Sequence, residues 1–235
     1  STATEGEYSI ELLAKDVIQL ADELGINQFA FCGLSMGGLI GQYLGIHYSN
    51  RLTHLVLSNT GAKIGDEARW TERAEKIAAN GTGSMADDFM QRWFSDDFIA
   101  NHKSKIAEMK LMVNRSSDAG YISCCAAIRD ADFRNELGKI PVPTLIITGD
   151  EDPVTNVDQA EFLADRIPNS HLFVMTGTKH LCATERPVDY AQKLIDFLVG
   201  SSVEERGMHI RRTVLGAAHV EKANSKKNDF NSDFQ

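Results

Sequence analysis

A serine flanked by glycines, Gly33-Leu34-Ser35-Met36-Gly37, is the stretch of this 235-residue chain whose residue types and spacing first suggest chemistry. A serine hydroxyl is a weak nucleophile at neutral pH, so it needs a base to take its proton and an acid to orient that base. Ahead of it, Phe29-Ala30-Phe31-Cys32 has strand character; behind it, Leu39-Ile40-Gly41-Gln42-Tyr43-Leu44 has helix character. Strand, Gly-x-Ser-x-Gly and helix together describe a nucleophile elbow, a cramped turn that presents Ser35 at the start of a helix. Gly33 and Gly37 are expected to be glycine because strand and helix crowd both positions. Free N–H groups at a helix start favour negative charge, so Met36 N–H is expected to be one donor of an oxyanion hole. A serine in a Gly-rich linker is the plainer alternative, and it leaves the flanking elements unexplained.

The base and the acid are sought in loops at the carboxyl ends of later strands. The run Thr144-Leu145-Ile146-Ile147-Thr148 reads as a buried strand and is followed by Gly149-Asp150-Glu151-Asp152-Pro153. The run His171-Leu172-Phe173-Val174-Met175 reads as another, followed by Thr176-Gly177-Thr178-Lys179-His180. Asp152 is the expected acid, because it follows the turn and precedes a helix with room to reach inward. Asp150 is the runner-up and Glu151 stands behind it. Among the seven histidines, His180 alone lies just past a strand end and before a helix; the others read as surface or core residues. The order Ser, acid, His is that of the α/β-hydrolases. The chemistry would be covalent: Ser35 attacks an ester carbonyl, His180 takes its proton, and Asp152 holds the imidazole. Water then hydrolyses the acyl-enzyme.

These residues need a frame. Ile10, Leu13, Val17, Leu20 and Leu24 recur at helical spacing between a Ser9 cap and a Gly25 stop, which predicts a helix over 10–24. His54 to Ser58 reads as a second strand after the elbow helix. From about Lys63 to Lys139 no strand is convincing; short helices are expected around 71–80, 86–94, 101–113 and 120–128, as in a cap or lid. Past Pro143, strand, helix over 157–166, strand, and a last helix from Pro187 to about Gly200 restart the rhythm. The fold class is therefore α/β, of doubly wound type, with a helical cap. The expected divisions are residues 1–62 and 140–200 for the core, 63–139 for the cap and 201–235 for a linker and tail.

Composition sets the exclusions. Net charge is -9, which argues against nucleic acid or an anionic membrane as a partner. No run approaches the ~18 apolar residues of a membrane helix, and nothing at the start resembles a signal peptide. Cys32, Cys124, Cys125 and Cys182 show no C-x-x-C spacing and no histidine pair has metal spacing. Reduced thiols, a cytoplasmic location, no metal and no cofactor are expected, with the oligomeric state left open. The first residue is Ser1, not Met, so the natural beginning is expected upstream.

Specific segments resemble a known family. Tyr8-Ser9-Ile10, Phe31-Cys32-Gly33-Leu34-Ser35-Met36-Gly37-Gly38 and Arg51-Leu52 through Leu55-Val56-Leu57-Ser58-Asn59-Thr60 are similar to 3-oxoadipate enol-lactonases. So is Gly120-Tyr121-Ile122 with Cys124-Cys125-Ala126-Ala127-Ile128-Arg129-Asp130-Ala131-Asp132, its most specific part. The resemblance covers about residues 7–199. It implies an α/β-hydrolase fold lacking its first strands, whose substrate is a small lactone bearing a carboxylate, opened to 3-oxoadipate. That carboxylate needs a cation, for which Arg129 is the candidate, with a surface ion pair as the alternative. Trp93 and Phe94 are expected as pocket-lining candidates, with simple packing in the cap as the alternative for both. In the fold's usual strand order the elbow strand is central, so here it is expected at a sheet edge, and the second oxyanion donor is expected upstream of the chain. The tail, from Gly207-Met208 to Phe234-Gln235, resembles the start of 4-carboxymuconolactone decarboxylase, which implies an internal piece of a lactonase–decarboxylase fusion. Other esterases of the same fold, or a catalytically incomplete fragment, are the competing readings. A haloalkane dehalogenase is disfavoured, since that chemistry uses a carboxylate at the position of Ser35.

Overall fold

The helix α1 (Ile10–Glu23) starts where Ser9 Oγ accepts the N–H of Leu12 at 3.1 Å, and the chain then turns at Gly25 with φ +68°. A computed structural model describes residues 6–200 and Gly216. The tail assigned to a decarboxylase-like segment lies, Gly216 apart, outside the described residues.

Among the described residues four parallel strands follow the first helix: β1 (Phe29–Leu34), β2 (Leu52–Ser58), β3 (Thr144–Gly149) and β4 (Ser170–Met175), in the spatial order β1-β2-β3-β4. Helix α2 (Met36–His47) crosses from β1 to β2, and α8 (Val157–Arg166) from β3 to β4. Both crossovers step in the same direction, so right-handedness puts both helices on one face. Register matches Phe31 with Leu55, Leu57 with Ile146, and Ile146 with Leu172 on that face. With Leu39, Leu44 and Leu163 these side chains build the main core. Leu55 and Leu57 are fully buried, each contributing about 1.5–3 kcal/mol. Residues one step along, Val56 and Leu145, point to the opposite face. Strand β1 forms the sheet edge, and Ala30 and Cys32 on it are exposed.

Between β2 and β3 lie helices only: α3 (Glu67–Asn80), α4 (Ala86–Trp93), α5 (Asp96–Asn101), α6 (Lys103–Asn114) and α7 (Asp118–Asp130). They enclose a second core of Ile77, Phe89, Met90, Phe94 and Val113. Two boundaries differ from those expected. Helix α3 begins at Glu67 and not near Thr71, because Asp66 accepts the Arg69 N–H at 2.8 Å and caps it. The helix expected over 101–113 starts at Lys103, because the non-helical His102, at φ -121° and ψ 46°, separates it from α5, a short helix the sequence reading did not expect. A short helix, α9 (Cys182–Glu185), follows His180 directly. The chain divides into compact units at residues 1–187 and 188–235; α10 (Pro187–Val199) opens the second. No helix among the described residues is long and apolar enough to cross a membrane.

Candidate active site

Ser35 holds a backbone conformation that L-residues rarely adopt, φ +56° and ψ -113°. Such conformations cost about 1–3 kcal/mol and persist only where the surroundings impose them. Here Ser35 N–H donates to Ser58 O at 3.0 Å, while Ser35 O accepts from Thr60 Oγ1 at 2.8 Å and from Gly38 N–H at 2.9 Å. The sequence expectation for the two elbow glycines needs correcting. A methyl group on Gly33 would strike the backbone of Gly37, carbonyl oxygen included, so Gly33 is required. A methyl group on Gly37 would meet nothing within 4 Å; it is Gly38 whose methyl would run into the Thr60 side chain at 2.5 Å. The tight approach is therefore of strand β1 and the β2 end onto the first helical turn. Backbone on backbone cannot yield cheaply, and Gly33→Ala is expected to destabilise the protein by at least about 3 kcal/mol, read from chemical denaturation. Met36 N–H, at the first position of α2, has no acceptor among the described residues and is available to an oxyanion.

The loops after β3 and β4 run against each other. A methyl on Gly149 would collide with the Thr178 carbonyl, and Glu151 N–H donates to Thr178 O at 3.0 Å. Asp150 turns outward and accepts the Gly177 N–H at 2.7 Å, so it ties the loops together at the surface. Asp152 turns inward. Its Oδ2 lies 2.8 Å from His180 Nδ1, with both side chains almost fully buried. The same oxygen accepts from Thr155 Oγ1 at 2.8 Å and Asn59 Nδ2 at 3.0 Å; Oδ1 accepts from Val154 N–H at 2.7 Å and Thr155 N–H at 3.1 Å. Burial is the largest influence on this carboxyl and opposes ionisation. The His180 hydrogen bond and charge, the Asn59 amide and the Val154 N–H together outweigh it and hold the carboxyl below its ordinary value. An ionised Asp152 accepting from Nδ1–H leaves the other ring nitrogen, Nε2, as the proton acceptor.

Asn59 was not singled out for this role by sequence reasoning. It follows β2 with φ +42° and is wholly buried. It donates to Asp152 and, at 3.2 Å, to Lys179 O, and accepts from Cys182 Sγ at 2.8 Å. Burial pushes the Cys182 thiol up to about 12, so it serves as a neutral donor. The available signal was position alone: a polar residue just past the carboxyl end of a central strand, where open α/β sheets place their sites.

Ser35, Met36 and His180 line one cavity of 760 Å³ between the strand ends and the helical layer. Trp93 lines it too, stacked on Phe89 with ring centroids 5.1 Å apart, whereas Phe94 is fully buried in the second core, stacked on Phe98, and is not on the lining. No hydrogen bond joins Ser35 Oγ to His180 among the described residues; a serine–histidine pair often tightens only around bound substrate. Arg129 does not line this cavity. Its guanidinium pairs with Asp130 at 2.7 Å and Glu7 at 3.4 Å, beside a separate cavity of 460 Å³. The arginines on the wall with Ser35 are Arg73 and Arg92, neither with a carboxylate in ion-pair reach among the described residues. Arg73 lies over the Trp70 and Phe89 rings, at 4.9 and 5.7 Å. Arg69 stands close by, its guanidinium lowered by burial and then by the charges of Arg73 and Arg92. The cavity that Ser35 lines thus carries two guanidinium groups against one carboxylate, Asp16, a balance that favours an anionic ligand. Among the described residues no three His, Cys, Asp or Glu side chains converge as a metal-ligand set.

Known proteins share this fold. The family model described as alpha/beta hydrolase fold matches residues 1–187. The chain is 39% identical to 3-oxoadipate enol-lactonase 2 of Acinetobacter baylyi over 187 residues, covering 80% of this chain and 70% of that one. Among solved structures it is similar to the enol-lactonase from Burkholderia xenovorans LB400, with a TM-score of 0.82, 35% identity and coverage of 83% and 75%. It is also similar to a hydrolase from Pseudomonas aeruginosa PA01, with a TM-score of 0.81, 32% identity and coverage of 84% and 74%. With its four parallel strands, elbow serine and matching family model, the chain belongs to the alpha/beta hydrolase fold family.

Proposed function

We propose that the protein is a serine hydrolase that opens 3-oxoadipate enol-lactone to 3-oxoadipate in protocatechuate catabolism. The observation that carries the reading is the convergence on one cavity of Ser35, the buried Asp152–His180 pair and two arginines without acidic partners. The 39% identity to an enol-lactonase supports the substrate. The resemblance of residues 207–235 to a decarboxylase is in keeping with the same catabolic route.

In this reading Ser35 Oγ attacks the ring carbonyl as His180 Nε2 takes its proton. Negative charge on the former carbonyl oxygen rests on Met36 N–H. The ring C–O bond then breaks and leaves an enolate oxygen, which stays attached to the acyl group because the ring has only opened. An enol is a stronger acid than an alcohol, so this step demands little of His180 as general acid. Proton return at carbon gives the ketone, and His180 activates water to release 3-oxoadipate and restore Ser35.

The substrate carboxylate is held by Arg73 and Arg92 in place of Arg129, whose charge is already matched by Asp130 and Glu7. Charge-assisted hydrogen bonds of this kind contribute about 1.5–3 kcal/mol. Arg73→Met is therefore expected to raise KM for the lactone about 10–100-fold and to leave a neutral aryl ester nearly unaffected. Steady-state kinetics on the two substrates decide it: equal losses would remove Arg73 from carboxylate recognition. Rapid cleavage of neutral esters with no turnover of the lactone would keep the serine mechanism and point to a carboxylesterase.

A further inference from the structure

The loop that carries His180 is fastened, on both sides of the histidine, to one short piece of the helical layer. Leu181 N–H donates to Trp93 O at 2.9 Å. Lys179 Nζ donates to Gln91 O and pairs with Asp96, both at 3.2 Å. The third link is Glu185, at the end of α9. Its Oε1 accepts the Lys179 N–H at 2.7 Å, and its Oε2 accepts the Ser95 N–H at 2.9 Å and the Ser95 hydroxyl at 2.5 Å. One carboxylate thus joins the residue before His180 to Ser95, itself buried at the junction of α4 and α5.

That junction has a second face. Arg92 and Trp93, two and three residues before Ser95, line the cavity that holds Ser35. Residues 91–96 therefore touch the ligand space on one side and grip the His180 loop on the other. Ser35 Oγ and His180 are not hydrogen-bonded, so the two side chains must reorient for the pair to engage, and where the loop holds His180 sets how far. Movement of the loop at Lys179 and Leu181 is shared with residues 91–96, while Gly177 and Thr178 are tied instead to Asp150 and Glu151.

We propose that Glu185 is a positioning residue that couples the cavity wall at Arg92 and Trp93 to the placement of His180, so that ligand contact with the wall is felt at the base. The proposal rests on the reading of His180 as the catalytic base, and its test separates the two. Glu185→Gln keeps the shape of the side chain but replaces one accepting oxygen by an amide NH2. Whichever way the amide is turned, that group faces an N–H donor, either of Lys179 or of Ser95.

The direct readout is side-chain NMR of the histidines in the full chain, following solvent exchange of the His180 Nδ1–H proton that is bonded to Asp152. Glu185→Gln is expected to speed this exchange about tenfold or more, as loss of a charge-assisted tie loosens the loop. Ser95→Ala, a milder change that removes one of the three donors, is expected to move it in the same direction by less. Unaltered exchange in folded Glu185→Gln overturns the proposal. If Glu185→Gln does not fold, Ser95→Ala with unaltered exchange overturns it equally. A second readout is the rate at which a fluorophosphonate labels Ser35, with its pH profile. Glu185→Gln is expected to slow labelling about tenfold to a hundredfold and to move the profile's midpoint. Faster His180 exchange with no labelling of Ser35 even in the unmodified protein leaves the coupling standing and removes the hydrolase reading.

Discussion

Replacing Ser35 by alanine is expected to lower lactone turnover by about 10⁶-fold, because in the proposed mechanism its hydroxyl oxygen is the atom that carries the acyl group. The fold should not notice. Ser35 Oγ makes no hydrogen bond among the described residues, and alanine meets the same backbone restriction at φ +56° as serine does. Ser35→Gly makes the contrast sharper. Glycine adopts that conformation freely, so this variant should be equally inactive yet more stable, by up to about 1–3 kcal/mol before the entropy of its unfolded chain is counted. Denaturation curves beside kinetics would show stability rising as activity vanishes, which is the signature of a strained site kept for function. A stability loss in Ser35→Ala would mean that the hydroxyl has a structural partner.

The second large effect belongs to Asp152→Asn, expected to lower kcat about 10⁴-fold. The loss follows from hydrogen-bond direction. Both oxygens of Asp152 accept, and their donors are His180 Nδ1–H, Asn59 Nδ2, Thr155 Oγ1 and the N–H groups of Val154 and Thr155. An asparagine NH2 in that nest faces donors only, unless His180 changes tautomer and presents Nδ1 as an acceptor. That would leave Nε2 carrying the proton, the wrong state for a base facing Ser35. Unsatisfied buried donors add a stability cost of about 1–3 kcal/mol. The pH dependence has a definite sign. Because the native carboxyl lies below its ordinary value of 3.8, it contributes stability that is present above that value and is lost as pH falls through the lower, native one. Thermal melts from neutral to acid pH should therefore fall more steeply in the unmodified protein than in Asp152→Asn. Parallel curves would show that Asp152 is not among the depressed carboxyls.

Much of this frame was legible in the sequence, because the elements that build it are strongly patterned. The elbow glycines sit between an apolar strand run and a helix, and the strands ending at Gly149 and Met175 are bounded by Gly-rich turns and Pro143. Reading loops at strand ends led to Asp152 and His180, since parallel strands bring such loops to one edge. What was not legible depends on contacts between distant segments. That Gly38 and not Gly37 is the crowded glycine comes from Thr60, which no local pattern places there. Arg129 lies in the segment most specific to the lactonase resemblance, yet its neighbour Asp130 and the distant Glu7 claim its charge. Arg73 and Arg92 sit in helices whose spacing reads as an ordinary polar face, and only the packing of α3 and α4 turns them toward Ser35. Asn59 is a single polar residue after a strand, and the partners that tie it to the site, Asp152 and Cys182, lie 93 and 123 residues further along.

The central claim is that Ser35 carries the opened lactone as a covalent ester. The measurement that tests it most directly is intact mass spectrometry of the protein mixed with 3-oxoadipate enol-lactone and quenched in acid within milliseconds, followed by peptide mapping. Since ring opening releases no fragment, the adduct should weigh one whole lactone, map to the peptide containing Ser35, and be absent in Ser35→Ala. Formation of 3-oxoadipate at an undiminished rate by Ser35→Ala, with no adduct in either protein, would contradict the account.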